Sequence, residues 1–170
     1  PIKSSAASDV YKRQILKSPL MMELKQMIDH SGISCSGIIV ELTESGYLEG
    51  TPAVRSVWND MKQLRIQIAL DDFGTGYSNL MNISNLEPDI VKLDRGFTLK
   101  ALSRSYEYQL MQYVIEMVHK LNQYVCVEGV ETKEDLEKIK ALGPDLIQGY
   151  YYSKPCSRNE FLKKFFCYSE

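Results

Sequence analysis

"IQIALDDFGTGYSNL", Ile66 to Leu80, is the stretch on which the fold of this chain turns. Its first five residues, "IQIAL", are mostly apolar and include β-branched isoleucine, so they predict a short strand. Two adjacent carboxylates, Asp71 and Asp72, stand where the apolar run stops, and Gly74 and Gly76 come just after them. Like charges at the edge of a core repel each other unless protons or cations intervene. In an ideal strand the two would face opposite sides of a sheet. Both reach one site only if the backbone bends there, which Gly74 and Gly76 permit.

Outward from this stretch, strand-like and helical segments alternate. "GIIVEL" (37–42) is a strand, and "TPAVRSVWNDMKQLR" (51–65) is a helix with Thr51 as candidate N-cap and Pro52 in the first turn. A short turn-rich helix after the Asp pair precedes the strand "PDIVKLD" (88–94). The longest helix spans 105–123, with Leu110, Val114, Met117, Val118 and Leu121 on one expected core stripe. "YVCVEG" (124–129), an amphipathic helix closing on Gly143, a short strand within 144–155 and a Ser157-capped terminal helix complete the order. A helical segment from Ile15 to Gly32 opens it. Strict alternation with continuously apolar strands points to a parallel sheet covered by helices, an α/β fold. An open twisted sheet and a closed barrel both fit. A complete eight-fold barrel takes about 250 residues, so a barrel of this length is incomplete, with about five to six β/α units.

The chain has 170 residues, 44% of them hydrophobic and 25% charged, which suits one globular domain. Residues 1–14, "PIKSSAASDVYKRQ", are polar and aperiodic and are set apart as a non-native or frayed lead-in, leaving 15–170 as the domain. The net charge of −2 offers no basic footprint for DNA or RNA. Nothing approaches a membrane span. The cysteines at 35, 126, 156 and 167 lack metal-binding spacing and are expected to be reduced, as in the cytoplasm.

Polar residues at the end of each apolar run carry the chemistry. The strand ends hold Glu41 with Glu44, Asp71 with Asp72, Lys92 with Asp94, Glu128 with Glu131, and Gln148. The carboxyl ends of parallel strands gather on one face, where ligands bind. One acid at a strand end is often a helix cap or a solvated loop residue, and Lys92 could simply pair with Asp94 or Glu87. Polar groups on five successive strand ends are harder to explain as scaffold. Oxygen donors without nearby Cys or His favour hard ions such as Mg²⁺, Mn²⁺ or Ca²⁺. Two such ions about 3.5–4 Å apart suit in-line attack on a phosphodiester.

At these residues the chain resembles the EAL domain family of bacterial cyclic di-GMP phosphodiesterases. The similar segments are "IIVELTES" (38–45), "IALDDFGTGYSNL" (68–80), "PDIVKLDRGF" (88–97), "VCVEGVET" (125–132) and "IQGYYYSKP" (147–155). The resemblance implies a (β/α)8, TIM-barrel-like fold that hydrolyses cyclic di-GMP to linear pGpG with two Mg²⁺ or Mn²⁺ ions. It implies Glu41, Asp71 and Asp72 as metal ligands, with Lys92 orienting the attacking water and Glu128 as general base or second-metal ligand. Glu131 and Gln148 would line the site. Glu44 would anchor a flexible loop that includes Phe73, Gly74, Thr75, Gly76, Tyr77 and Ser78, and this loop would couple metal binding to a homodimer. Attached sensory or GGDEF domains are the implied partners in a longer protein.

Two of the family's features are absent: the Glu-Ala-Leu strand with its arginine, and the asparagine-bearing second strand. The expectation is therefore roughly the last two-thirds of an EAL domain, with an incomplete ligand set and impaired hydrolysis. The alternative is a catalytically inactive EAL domain that binds cyclic di-GMP or a protein partner.

Overall fold

The structure, a computed structural model, describes residues 20–43, 52–75 and 87–166. In these, helix α1 (Leu20–Ser31) leads through a 3₁₀ turn (Cys35–Gly37) into strand β1 (Ile39–Thr43). Then come α2 (Pro52–Gln63), β2 (Gln67–Phe73), β3 (Ile90–Leu93), α3 (Arg95–Ser103), α4 (Ser105–Lys120), β4 (Tyr124–Glu128), α5 (Lys133–Lys140), β5 (Leu146–Gln148) and α6 (Arg158–Phe165). Thr51 and the turn-rich segment between β2 and β3 lie outside the described residues.

The local signals explain most boundaries. Gly32 takes φ +67 just past α1 and donates its N–H to Ile28 O, a left-handed helix stop that suits glycine. Thr132 and Ser157 each close a capping box, with Asp135 and Glu160 as the reciprocal partners. Helix α3 is an element that strand periodicity does not reveal. Its signal is Asp94, whose carboxylate accepts from Gly96 N at 2.7 Å and caps the helix.

All five strands are parallel and hydrogen-bonded in chain order, β1-β2-β3-β4-β5. Sequential order decides between the two architectures open to the sequence. Doubly wound sheets reverse direction at a switch point, whereas barrel strands succeed one another around the axis. The described sheet is therefore TIM-barrel-like, and five strands make it an incomplete barrel.

Strand alternation divides the core in two. Leu70, Phe73, Val91, Leu93, Val125 and Val127 face the helices and join Met111, Ile115 and Val118 of α4 in the main core. Ala69, Ile90 and Cys126, with Ile39 packed against them, form a separate small cluster on the other face, the barrel interior. Of the stripe expected on α4, Val118 is buried and Val114 and Met117 pack against the core, but Leu110 and Leu121 are more than 40% exposed, and Met111 and Ile115 are buried instead. Both stripes have helical spacing, and only contact with the sheet chooses between them.

Candidate active site

The interior face places the charged residues. Two positions beyond Ile39, Ala69, Ile90 and Cys126, on the same side of their strands, stand Glu41, Asp71, Lys92 and Glu128. A small apolar floor thus lies under a ring of ionisable groups. Lys92 Nζ sits 2.8 Å from Glu41 Oε2, 3.0 Å from Asp71 Oδ1 and 2.7 Å from Glu128 Oε1. Its side chain is only 6% exposed. Neither Asp94 nor Glu87 is its partner: Asp94 caps α3, and Lys92 reaches carboxylates on β1, β2 and β4 instead.

The Asp pair is handled by a backbone irregularity. The β2–β3 register slips between Leu70, opposite Val91, and Phe73, opposite Leu93. Two residues of β2, Asp71 and Asp72, therefore face the single residue Lys92, as in a β-bulge. Asp72 adopts φ +61, a left-handed conformation that aspartate tolerates better than most residues. The bend expected from Gly74 and Gly76 thus begins at Asp72 itself. It leaves Asp71 facing Lys92 and Asp72 exposed, and it moves Phe73 to the helix-side core. Phe73 closes β2 and is buried, so the loop that was expected to include it starts at Gly74. Gly74, at φ +101, lies so close to Phe97 that a Cβ would stand 2.8 Å from the ring. Glu44, Gly76, Tyr77 and Ser78 lie outside the described residues.

Electrostatics arise from this packing. Burial opposes the Lys92 ammonium, but its hydrogen bonds to Glu128 and Glu41, the charge of Glu128 and the bond to Asp71 outweigh it, raising the pKa above the ordinary lysine range. Glu128 is also pushed up: burial disfavours its charge, Lys92 counters this, and Asp71 and Glu41 add repulsion. Burial pushes the Cys126 thiol beneath them up to about 12, against the pull of Lys92's charge.

The remaining expected residues occupy the rim. Gln148 is paired in register with Glu128 and is exposed. Glu131 is not part of the Lys92 cluster. Its Oε1 accepts from Arg95 Nη2 at 2.7 Å and Nε at 3.2 Å. Sequence patterning does not single out Arg95, although it stands three residues after Lys92, as Glu131 stands three after Glu128.

The donor set suits a hard cation in type. Three carboxylates from three strands converge on one point, and Asp71 Oδ1 is buried without a directed hydrogen bond despite its ion-pair contact with Lys92. In spacing they hold an ammonium: among the described residues, no three His, Cys, Asp or Glu side chains are grouped as metal ligands. Also among the described residues, no helix is long and apolar enough to cross a membrane.

The sequence matches the EAL domain family over residues 6–155, which takes in every strand of the sheet and each charged residue around Lys92. The chain belongs to the EAL domain family. It is 28% identical over 152 residues to the cyclic di-GMP phosphodiesterase NbdA of Pseudomonas aeruginosa, a match covering 88% of this chain and 19% of that protein. Its structure is similar to the EAL enzyme Bd1971 in its cAMP- and cyclic-di-GMP-bound form, with a TM-score of 0.87 and 28% identity over 94% of this chain and 42% of that one. It is also similar to the manganese/cyclic-di-GMP complex of Klebsiella pneumoniae BlrP1, with a TM-score of 0.83 and 25% identity over 91% of this chain and 40% of that one. This EAL domain thus spans less than half the length of each.

Proposed function

We propose that this EAL domain hydrolyses cyclic di-GMP to linear pGpG with the help of divalent ions, Mg²⁺ or Mn²⁺. The observation that carries this is the convergence of Glu41, Asp71 and Glu128 on Lys92 at the carboxyl ends of four adjacent strands. The cyclic-di-GMP complexes of its relatives support the choice of substrate. Glu41 and Asp71 would hold one ion, and Asp72, exposed at the bulge, would be a ligand to a second. A divalent ion there would neutralise charge on the attacking and departing oxygens of the phosphodiester.

The chain's own groups supply the rest. Glu128 is pushed toward proton affinity by burial and its acidic neighbours, which suits a general base that takes a proton from water. Lys92 stays cationic and can donate to the water and to charge developing on phosphate oxygen. Gln148, beside Glu128, presents an amide that could hydrogen-bond substrate or water. The domain would act in the cytoplasm, consistent with free thiols at Cys35, Cys126 and Cys156. Dimerisation through the loop after Asp72, and attachment to sensory or GGDEF domains, belong to the same proposal.

A second function is favoured by one observation: Lys92 fills the point between the carboxylates, with no three acids grouped as ligands among the described residues. The domain would then bind cyclic di-GMP, or a protein partner, without cleaving it. Chromatography of cyclic di-GMP incubated with the chain and Mn²⁺ separates the two. A pGpG peak abolished by Asp71→Asn supports hydrolysis. Binding by calorimetry with no pGpG supports the binding module, and neither binding nor product refutes a nucleotide function.

A further inference from the structure

Strands β3 and β4 and the segments that follow them carry two cation–carboxylate contacts in the same spacing. Lys92 meets Glu128 at 2.7 Å, and three residues further along each chain segment Arg95 meets Glu131 at 2.7 Å. The first contact is buried; in the second, the Arg95 side chain is 58% exposed. Between Glu128 and Glu131 the backbone turns at Gly129, with φ +80. Arg95 lies directly on that turn: a Cβ on residue 129 would stand 2.9 Å from Arg95 Cβ and 3.1 Å from its Cα. On the other side the same loop is held to β5, by Val130 N to Gln148 O at 3.3 Å and Tyr151 N to Val130 O at 3.0 Å.

An exposed ion pair contributes about 0–1 kcal/mol of stability. A weak effect on stability does not explain why a forked guanidinium should span the rim here, with its stem packed on the residue after Glu128. We propose that Arg95 is a positioning residue. Through Glu131 and the Gly129 turn, it fixes the end of β4 so that the Glu128 carboxylate stays opposite Lys92 and the other acids. This deepens the phosphodiesterase proposal and rests on it, because it assigns Arg95 a part in holding that same site. The geometry supports the assignment in a specific way. Glu128, like Asp71, has a left-handed residue immediately after it, and here that residue, Gly129, lies against Arg95, so the direction of Glu128 depends on what pins the turn. Displacing a reacting group by about 1 Å can cost on the order of a hundredfold in rate.

The test compares Arg95→Ala, Arg95→Lys and Lys133→Ala with the wild-type chain. Lys133 is a rim lysine, 79% exposed and paired with Glu137, so removing it controls for loss of charge alone. For Arg95→Ala the expected result is a fall in kcat of about tenfold or more with KM for cyclic di-GMP within about twofold, and weaker Mn²⁺ binding by calorimetry without nucleotide. The melting temperature should shift by no more than about 4 °C, as for any surface pair. Arg95→Lys should recover most of the loss, since an ammonium can still donate to Glu131. Wild-type kcat and Mn²⁺ affinity in Arg95→Ala would overturn the inference, as would an equal loss in Lys133→Ala. A rise in KM alone would also overturn it, by making Arg95 a substrate contact. If the wild-type chain forms no pGpG, the phosphodiesterase proposal fails and this inference fails with it. If only Arg95→Ala behaves like wild type, the inference alone fails.

Discussion

Replacing Lys92 by methionine keeps most of the side-chain volume and removes the cation that three carboxylates share. Its contacts with Glu41, Asp71 and Glu128 are 2.8, 3.0 and 2.7 Å, so no two of those oxygens can stand more than about 6 Å apart. At an effective dielectric constant of about 20, two unit charges at that distance repel by roughly 3 kcal/mol. Side-chain relaxation and proton uptake reduce the total, and removing one partner of a buried ion pair typically costs about 3–5 kcal/mol. We expect Lys92→Met to lose that amount in urea denaturation at pH 7.5, a large part of the stability of an ordinary domain. The loss should depend on pH in one direction. Glu128 already has a raised pKa with Lys92 present, and without the cation it rises further. A carboxylate with a raised folded-state pKa gives its full stability below the unfolded value and loses it as pH climbs through the folded value. The gap between variant and wild type should therefore shrink when the titration is repeated near pH 5. The wild-type lysine, with its own raised pKa, keeps its contribution throughout this range and loses it only in strong alkali. A variant as stable as wild type at pH 7.5, or a deficit that is the same at both pH values, would refute the shared-cation account.

Other consequences are simpler to measure. A Cβ at residue 149 would stand 2.5 Å from Val130 N and 2.7 Å from Val130 C, both backbone atoms that cannot rotate away. Gly149→Ala should therefore cost about 2–3 kcal/mol, read as a lowered melting temperature, and an unchanged one would mean that the β5 rim loop is not packed as described. Cys126 is buried with its pKa near 12, while Cys156 is exposed. Iodoacetamide at neutral pH should label Cys156 within minutes and Cys126 only after denaturant is added, so native-state labelling of Cys126, seen by peptide mass spectrometry, would contradict the buried floor beneath the charges.

The order of elements was legible because its signals are local. Apolar runs such as "IQIAL" and "YVCVEG", the cap at Ser157, and Gly32 act over a few residues of chain. The convergence of Glu41, Asp71, Lys92 and Glu128 was legible too, because parallel strands bring their carboxyl ends to one face. The family was readable from the same residues, and the match over 6–155 bears that out.

Other features needed the third dimension. Whether the sheet is barrel-like or doubly wound is a matter of which strands are neighbours, and hydrogen bonding between distant segments sets that order. The face of α4 that is buried depended on the sheet beneath it, because Leu110 and Met111 both lie on apolar stripes of helical spacing. The bend at Asp72 came from the register of β2 against β3, which no property of "DDFGTG" alone fixes. Arg95 met Glu131 only because adjacent strands end at matching heights, 36 residues apart in the chain. The sequence by itself thus determined which groups stand at the strand ends, since that depends on periodicity along one chain. Tertiary structure alone decided which of them share a charge, because an ion pair requires a distance, and that distance is set by strand register.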